Sequence, residues 1–149
     1  MNNKKIVLEI IVIPLCVMYL FLILLKSSFA AAIIFAVFAI ITAVWFVPKY
    51  IEEIYIYKSK LNFLKIIFVI SYISLAVISI LNIIFKLKLF KILFIIFACI
   101  SFIGLLYFGI KNIKTVMKQK KDFAINILYS FSSFTIFAIM LSTFIVYLK

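Results

Sequence analysis

The sequence predicts an all-α integral membrane protein, a bundle of five transmembrane helices with the N-terminus inside and the C-terminus outside. Three observations lead there. Hydrophobic residues make up 69% of the 149 positions, against roughly 45–50% in a soluble domain, so lipid must solvate much of the surface. Charged residues fall to 13%, and nearly all of them stand in short clusters between long apolar runs. Each run is about as long as the ~20 residues a helix needs to cross a ~30 Å hydrocarbon core. None alternates apolar and polar residues as a barrel strand does.

The first span, 6–25, lies between Lys5 and Lys26. Pro14 should kink it by freeing a carbonyl one turn earlier. Glu9 is the one acid inside an expected span and is a functional candidate for that reason. It lies close to the first turn, however, with Lys5 four residues before it, so an interfacial ion pair is the favoured reading. Ser28-Phe29-Ala30 resembles a signal-peptide cleavage site, but the preceding apolar run exceeds the usual 7–15 residues, and the segment is read as a retained span.

The second span, 27–48, carries Ser28, Ala32, Ala36, Ala39 and Ala43 at steps of four, four, three and four. At 100° per residue they share an arc of about 80°. Such a small-residue face lets another backbone approach, either inside the bundle or on a partner. The third span, 66–85, carries Ser71, Ser74, Ser79 and Asn82. The fourth, 92–110, adds Ser101 and Gly104. The fifth, 123–148, has Asn126, Tyr129, Ser130 and Ser133 on one side. These polar groups serve as interhelical glue or line a polar cavity between the third and fifth helices, with Ser71, Ser74, Asn82, Asn126, Ser130 and Ser133 on its wall.

Orientation follows from the lysines. With the N-terminus inside, the inner side holds Lys4, Lys5, Lys49, Lys58, Lys60, Lys65, Lys111, Lys114, Lys118, Lys120 and Lys121. The outer side keeps Lys26, Lys86, Lys88, Lys91 and Lys149. Lys86, Lys88 and Lys91 are the weak point, since three cations sit on the wrong side. Trp45, Tyr50, Tyr55, Tyr57 and Tyr107 form the expected inner aromatic belt. The inner loops are 49–65 and 111–122. In the first, Ile51, Ile54, Tyr55 and Leu61 can lie on lipid while Glu52 and Glu53 face water, and Lys49 and Glu53 have the spacing of a helical pair. In the second, Lys111, Lys114, Lys118 and Lys121 share one face, opposite Ile113, Val116 and Met117. That stripe suits anionic headgroups or an acidic partner.

An ungapped alignment of 5–26 with 65–86, sharing Lys5/Lys65 and Lys26/Lys86 among other positions, suggests two tandem helical hairpins followed by a fifth helix. The whole chain, 1–149, reads as one polytopic domain.

The composition removes most chemistry. There is no His and no Arg, so the usual proton shuttle and commonest metal ligand are missing. Cys16 and Cys99 are too few for a zinc site and read as small buried hydrophobes. The two glycines cannot form a phosphate-cradling loop. Without a basic folded module or Arg, nucleic acid is not an expected partner. The expectation is a non-enzymatic protein, without cofactor or metal, in a bacterial-type inner membrane. It would act by helix–helix binding, as an immunity factor against a membrane-active toxin or an accessory subunit does, with a membrane-protein partner or as a homo-oligomer. A small permease or lipid-carrier flippase is the alternative.

Overall fold

Lysine interrupts hydropathy but not helix, because it is a good helix former. Helix therefore runs past Lys5, Lys49, Lys65, Lys91 and Lys111, although it stops at Lys26, Lys86 and Lys149. The computed structural model describes residues 3–56, 62–118 and 123–149. Among them are five helices and no strand: α1 (Asn3–Leu24), α2 (Ser28–Ile56), α3 (Asn62–Phe85), α4 (Lys88–Met117) and α5 (Phe123–Leu148). All five are long and apolar enough to cross a membrane. At 1.5 Å per residue, α2 with 29 residues and α4 with 30 are about 45 Å long. That exceeds the hydrocarbon thickness, and the surplus forms a helical collar. Most of the two expected inner loops is thus helix. Tyr57, Lys58, Lys60 and Leu61 of the first, and Lys120, Lys121 and Asp122 of the second, lie outside the described residues.

Four helices form a ring in which α2 packs on α3, α3 on α4, α4 on α5 and α5 on α2. The first helix stays outside it, packed on α5 and lightly on α4. The linker 25–27 can reach about 10 Å, enough to carry the chain across the end of one helix. So α5 separates α1 from α2, which do not touch. Tandem hairpins would make α1–α2 resemble α3–α4. The latter two pack as a hairpin, turning through Lys86 and Leu87, but the former do not. The aligned lysines accordingly sit in unlike places: Lys5 is exposed, whereas Lys65 is buried.

The ring interior is aromatic. In one half, Phe35 of α2 meets Phe94 of α4 with ring centroids 4.8 Å apart, and Phe102 and Phe144 close around them. In the other half, Phe46 lies 5.0 Å from Phe108, and Tyr50 and Tyr72 stack beside them. In lipid there is little hydrophobic drive between helices, so association rests on such close packing and on hydrogen bonds. Edge and tilted aromatic pairs supply about 0.5–1.5 kcal/mol each beyond area burial.

The small-residue face of α2 is spent inside this bundle. Ala31, Ala32, Ala36 and Ala39 are buried, while Ala43 is half-buried and Ser28 exposed at the helix start. Pro14 does not break α1, and it is one of the few buried residues of that helix, facing the ring. Cys16 and Cys99, expected inside, are exposed on the outer surface of the bundle. A thiol is apolar enough for that position.

Candidate functional site

Helix α4 collects hydrogen bonds from every other helix. Its backbone oxygens accept from Tyr50 of α2 at Gly104 (2.8 Å), from Ser71 of α3 at Phe97 (3.0 Å), and from Ser133 and Ser130 of α5 at Leu105 (2.6 Å) and Gly109 (3.1 Å). Asn3 of α1 reaches Val116 (3.5 Å). Ser71 also shares a hydrogen bond with Ser101 at 2.9 Å. Glycine allows part of this. A Cβ on Gly104 would lie 2.5 Å from the Tyr72 hydroxyl, and one on Gly109 would meet the Phe134 ring at 2.9 Å. Ser71, Ser130 and Ser133 are therefore interhelical ties.

The polar residues expected to line one cavity do not gather into one. Helices α3 and α5 occupy opposite corners of the ring, and the rings of Phe46, Phe94, Phe102 and Phe108 fill the middle. Asn82 lies near the end of α3, and Asn126 in the first turn of α5, at the other end of the bundle. Ser74 is half-buried on α3. The two ends differ in chemistry and carry the candidate sites.

The first is the Glu53 end, where α2 and α4 finish and α3 and α5 begin. Glu53 was expected to face water, but it turns inward. Its carboxylate pairs with Lys111 of α4 at 2.7 Å and with Lys65 of α3 at 3.2 Å. Lys65 is only 4% exposed. One acid thus holds three helices together. Lys49 pairs with Glu52 instead of Glu53, at 3.3 Å, and lies over the Tyr129 ring. A sequence signal for Glu53 existed. Phe35, Ala39, Thr42, Phe46 and Tyr50, all buried, recur at steps of four, three, four and four, and Glu53 is three residues further along the same stripe. On α3 the buried stripe Phe68, Tyr72, Leu75, Ser79 likewise begins with Lys65 and ends with Asn82.

Two expectations at this end need correction. Tyr50 is not part of an aromatic belt, since it is fully buried and bonded to Gly104, whereas Trp45 and Tyr55 are exposed as a belt requires. The lysine stripe of α4 is divided: Lys111 is engaged by Glu53, while Lys114 and Lys118 are exposed along a groove of about 340 Å³. Lys121 lies outside the described residues.

Glu9 stands on the exposed side of α1. The expected pair with Lys5 is not formed among the described residues, where the carboxylate partners are those of Glu52 and Glu53.

The second is the Lys86 end, where α3 and α5 finish and α2 and α4 begin. Here Asn82, 5% exposed, donates its amide N–H to the Tyr147 hydroxyl at 2.6 Å, linking α3 to α5. Above that pair opens a cavity of about 330 Å³. Ser28 and Ala32 of α2 line it together with Lys86, Lys88 and Lys91. Ser28, Ala32 and Asn82 thus share a site that the sequence had assigned to different roles. The three lysines that run against the expected orientation belong to it too.

No family model matches this chain, and neither a curated protein nor a solved structure proves similar to it. Among the described residues, no group of His, Cys, Asp and Glu is arranged to hold a metal.

Proposed function

We propose that this chain is a non-enzymatic, multi-pass protein of a bacterial-type inner membrane that acts by helix–helix binding to another membrane protein, as an immunity factor or accessory subunit does. The observation that carries this reading is the position of α1. It lies outside the ring, buries little besides Ile10 and Pro14, and leaves Tyr19, Leu20 and Glu9 facing outward. An appended helix that adds little to the core, yet carries a tyrosine and an acid on its free side, is suited to receive a partner's helix. The aromatic filling of the ring supports binding on the outside rather than passage through the middle.

We further propose that the Glu53 end faces the cytoplasm, on the lysine distribution. A reporter fused after Lys149 should be active only when exported, and cytoplasmic activity there overturns the orientation.

The binding reading is tested by photo-crosslinking in the native membrane. A crosslinker at Tyr19 or Leu20 should give one protein adduct of defined size. The same group at Ile80 of α3 or Ile103 of α4, which are also exposed, should give lipid adducts. Tyr19→Ala should lower recovery of the partner from detergent extracts. Adducts spread evenly around the bundle, or adducts with a second copy of this chain, overturn the heterotypic reading.

A further inference from the structure

We propose that the cavity at the Lys86 end binds the phosphate group of an anionic ligand, and that its build suits a lipid headgroup. This goes beyond the partner surface on α1 and does not rest on it.

The argument starts with donors. Lys86, Lys88 and Lys91 bring three ammonium groups to the cavity. Tyr147 accepts the amide hydrogen of Asn82, which leaves its own hydroxyl proton to donate into the space that it lines. Ser28 adds a hydroxyl. The first turn of α4, which borders the cavity at Leu87 and Lys88, has no side-chain cap for its backbone N–H groups, for Leu87 at its N-cap is extended and offers no acceptor. By contrast, the start of α2 is capped by the Ser27 hydroxyl, which accepts from Ala30. Among the described residues, no Asp or Glu lines the cavity. A site of this composition is complementary to an acceptor-only, negatively charged group.

The placement of the lysines points the same way. Lys86 sits at the C-terminus of α3, where a cation is favoured, but it takes a φ of 50°, a backbone region that a residue with a Cβ rarely occupies. Lys88 and Lys91 occupy the first turn of α4, next to the positive end of its dipole, where a cation is disfavoured. All three also run against the lysine distribution of the chain. A bound anion offsets each of these penalties. The remaining wall, Phe29, Ala32, Ile83 and Leu87, is apolar, so a phosphate attached to an acyl chain fits better than a free one. The volume of about 330 Å³ falls at the small end of ligand pockets, and suits one headgroup phosphate with its glycerol.

The test uses the full chain in a neutral detergent, with short-chain phosphatidic acid, inorganic phosphate and short-chain phosphatidylcholine as probes in calorimetric titrations. Phosphatidic acid should bind at one saturable site, and phosphatidylcholine should not. The variant Lys88→Gln/Lys91→Gln should bind about 25-fold more weakly, at about fivefold per lysine. The variant Lys5→Gln, an exposed lysine at the other end, should bind as the parent does. Should the first variant not fold, Lys86→Gly removes one charge at a position whose backbone favours glycine, and should weaken binding about fivefold. Binding of phosphatidic acid without inorganic phosphate assigns the lipid source, and tight binding of both assigns a water-borne phosphate. The proposal is overturned if neither anion saturates, if phosphatidylcholine binds equally, or if the variants at the Lys86 end keep full affinity.

Discussion

At the Glu53 end of the bundle a lysine is an internal tie, and at the Lys86 end it is an unmatched charge. Lys65 and Lys111 converge on one carboxylate that holds α2, α3 and α4 together, and Lys65 is buried in doing so. Lys86, Lys88 and Lys91 line an open cavity with no acid among the described residues of its wall. Lysine counting treats the two groups alike, as markers of the water on either side of a membrane. The contrast teaches that a lysine beside a span has three possible destinations: headgroup anchor, structural ion pair or ligand site. What separates them is whether an acid lies on the facing helix.

The largest expected effect breaks the Glu53 end. Glu53→Gln removes the acid that Lys65 and Lys111 share and should destabilise the bundle by about 3 kcal/mol, the cost of deleting one member of a buried pair. Replacing both members, Glu53→Met with Lys65→Met, should recover most of the loss, because the pair's attraction is largely offset by its desolvation. Unfolding equilibria in bicelles measure both. If the single variant loses less than about 1 kcal/mol, water reaches Lys65 and the two ends do not differ in kind.

A smaller pair of effects sharpens the picture one turn deeper. Tyr50 and Tyr72 are stacked neighbours, both fully buried, but their hydroxyls have opposite fates. That of Tyr50 donates to Gly104 O at 2.8 Å, while that of Tyr72 has no hydrogen-bond partner among the described residues. Tyr50→Phe should destabilise by about 1 kcal/mol, and Tyr72→Phe should be neutral or stabilising by a similar amount. Equal losses in the same unfolding assay mean that the two hydroxyls act as one network, and that the unpaired Tyr72 hydroxyl carries no penalty.

The helical class, the five spans and the internal use of the α2 small-residue face were legible in the sequence because hydropathy and 3.6-residue periodicity are local signals. Both ends of α5 and the helix ends beside Lys26 and at Phe85 were legible to within a residue, whereas those at Lys5, Lys49, Lys65, Lys91 and Lys111 were not, since there the helix runs on past the lysine. The arrangement was not legible either. That α5 lies between α1 and α2 depends on contacts between the two ends of the chain, which no local pattern encodes. The inward turn of Glu53 was available, as the continuation of the Phe35–Tyr50 stripe, but its charge argued for water. Asn82 stood among the polar residues expected on one cavity wall with Asn126, but its partner is Tyr147 at the end of the bundle, which was not among them. The cavity at the Lys86 end joins residues from α2, α3, α4 and α5, and showed in the sequence only as an exception to the lysine distribution.

The smallest expected effect compares the two ends on a single helix. Lys88 stands in the first turn of α4, and Lys114 in its last. The N-terminal end of the helix dipole repels a cation and the C-terminal end attracts one, by about 0.3–1 kcal/mol each at low ionic strength. Lys88→Ala should therefore stabilise the protein and Lys114→Ala should not. Alanine raises helix propensity in both, so the informative quantity is the difference between the variants, about 1 kcal/mol. High salt should shrink it by screening. An anion in the cavity reverses the sign at Lys88, because the lysine then has a counter-charge to lose. Lys114→Ala should not respond to that anion. If Lys88→Ala is destabilising even in anion-free detergent, Lys88 already has an internal role, and the distinction between a tied end and an open end does not hold.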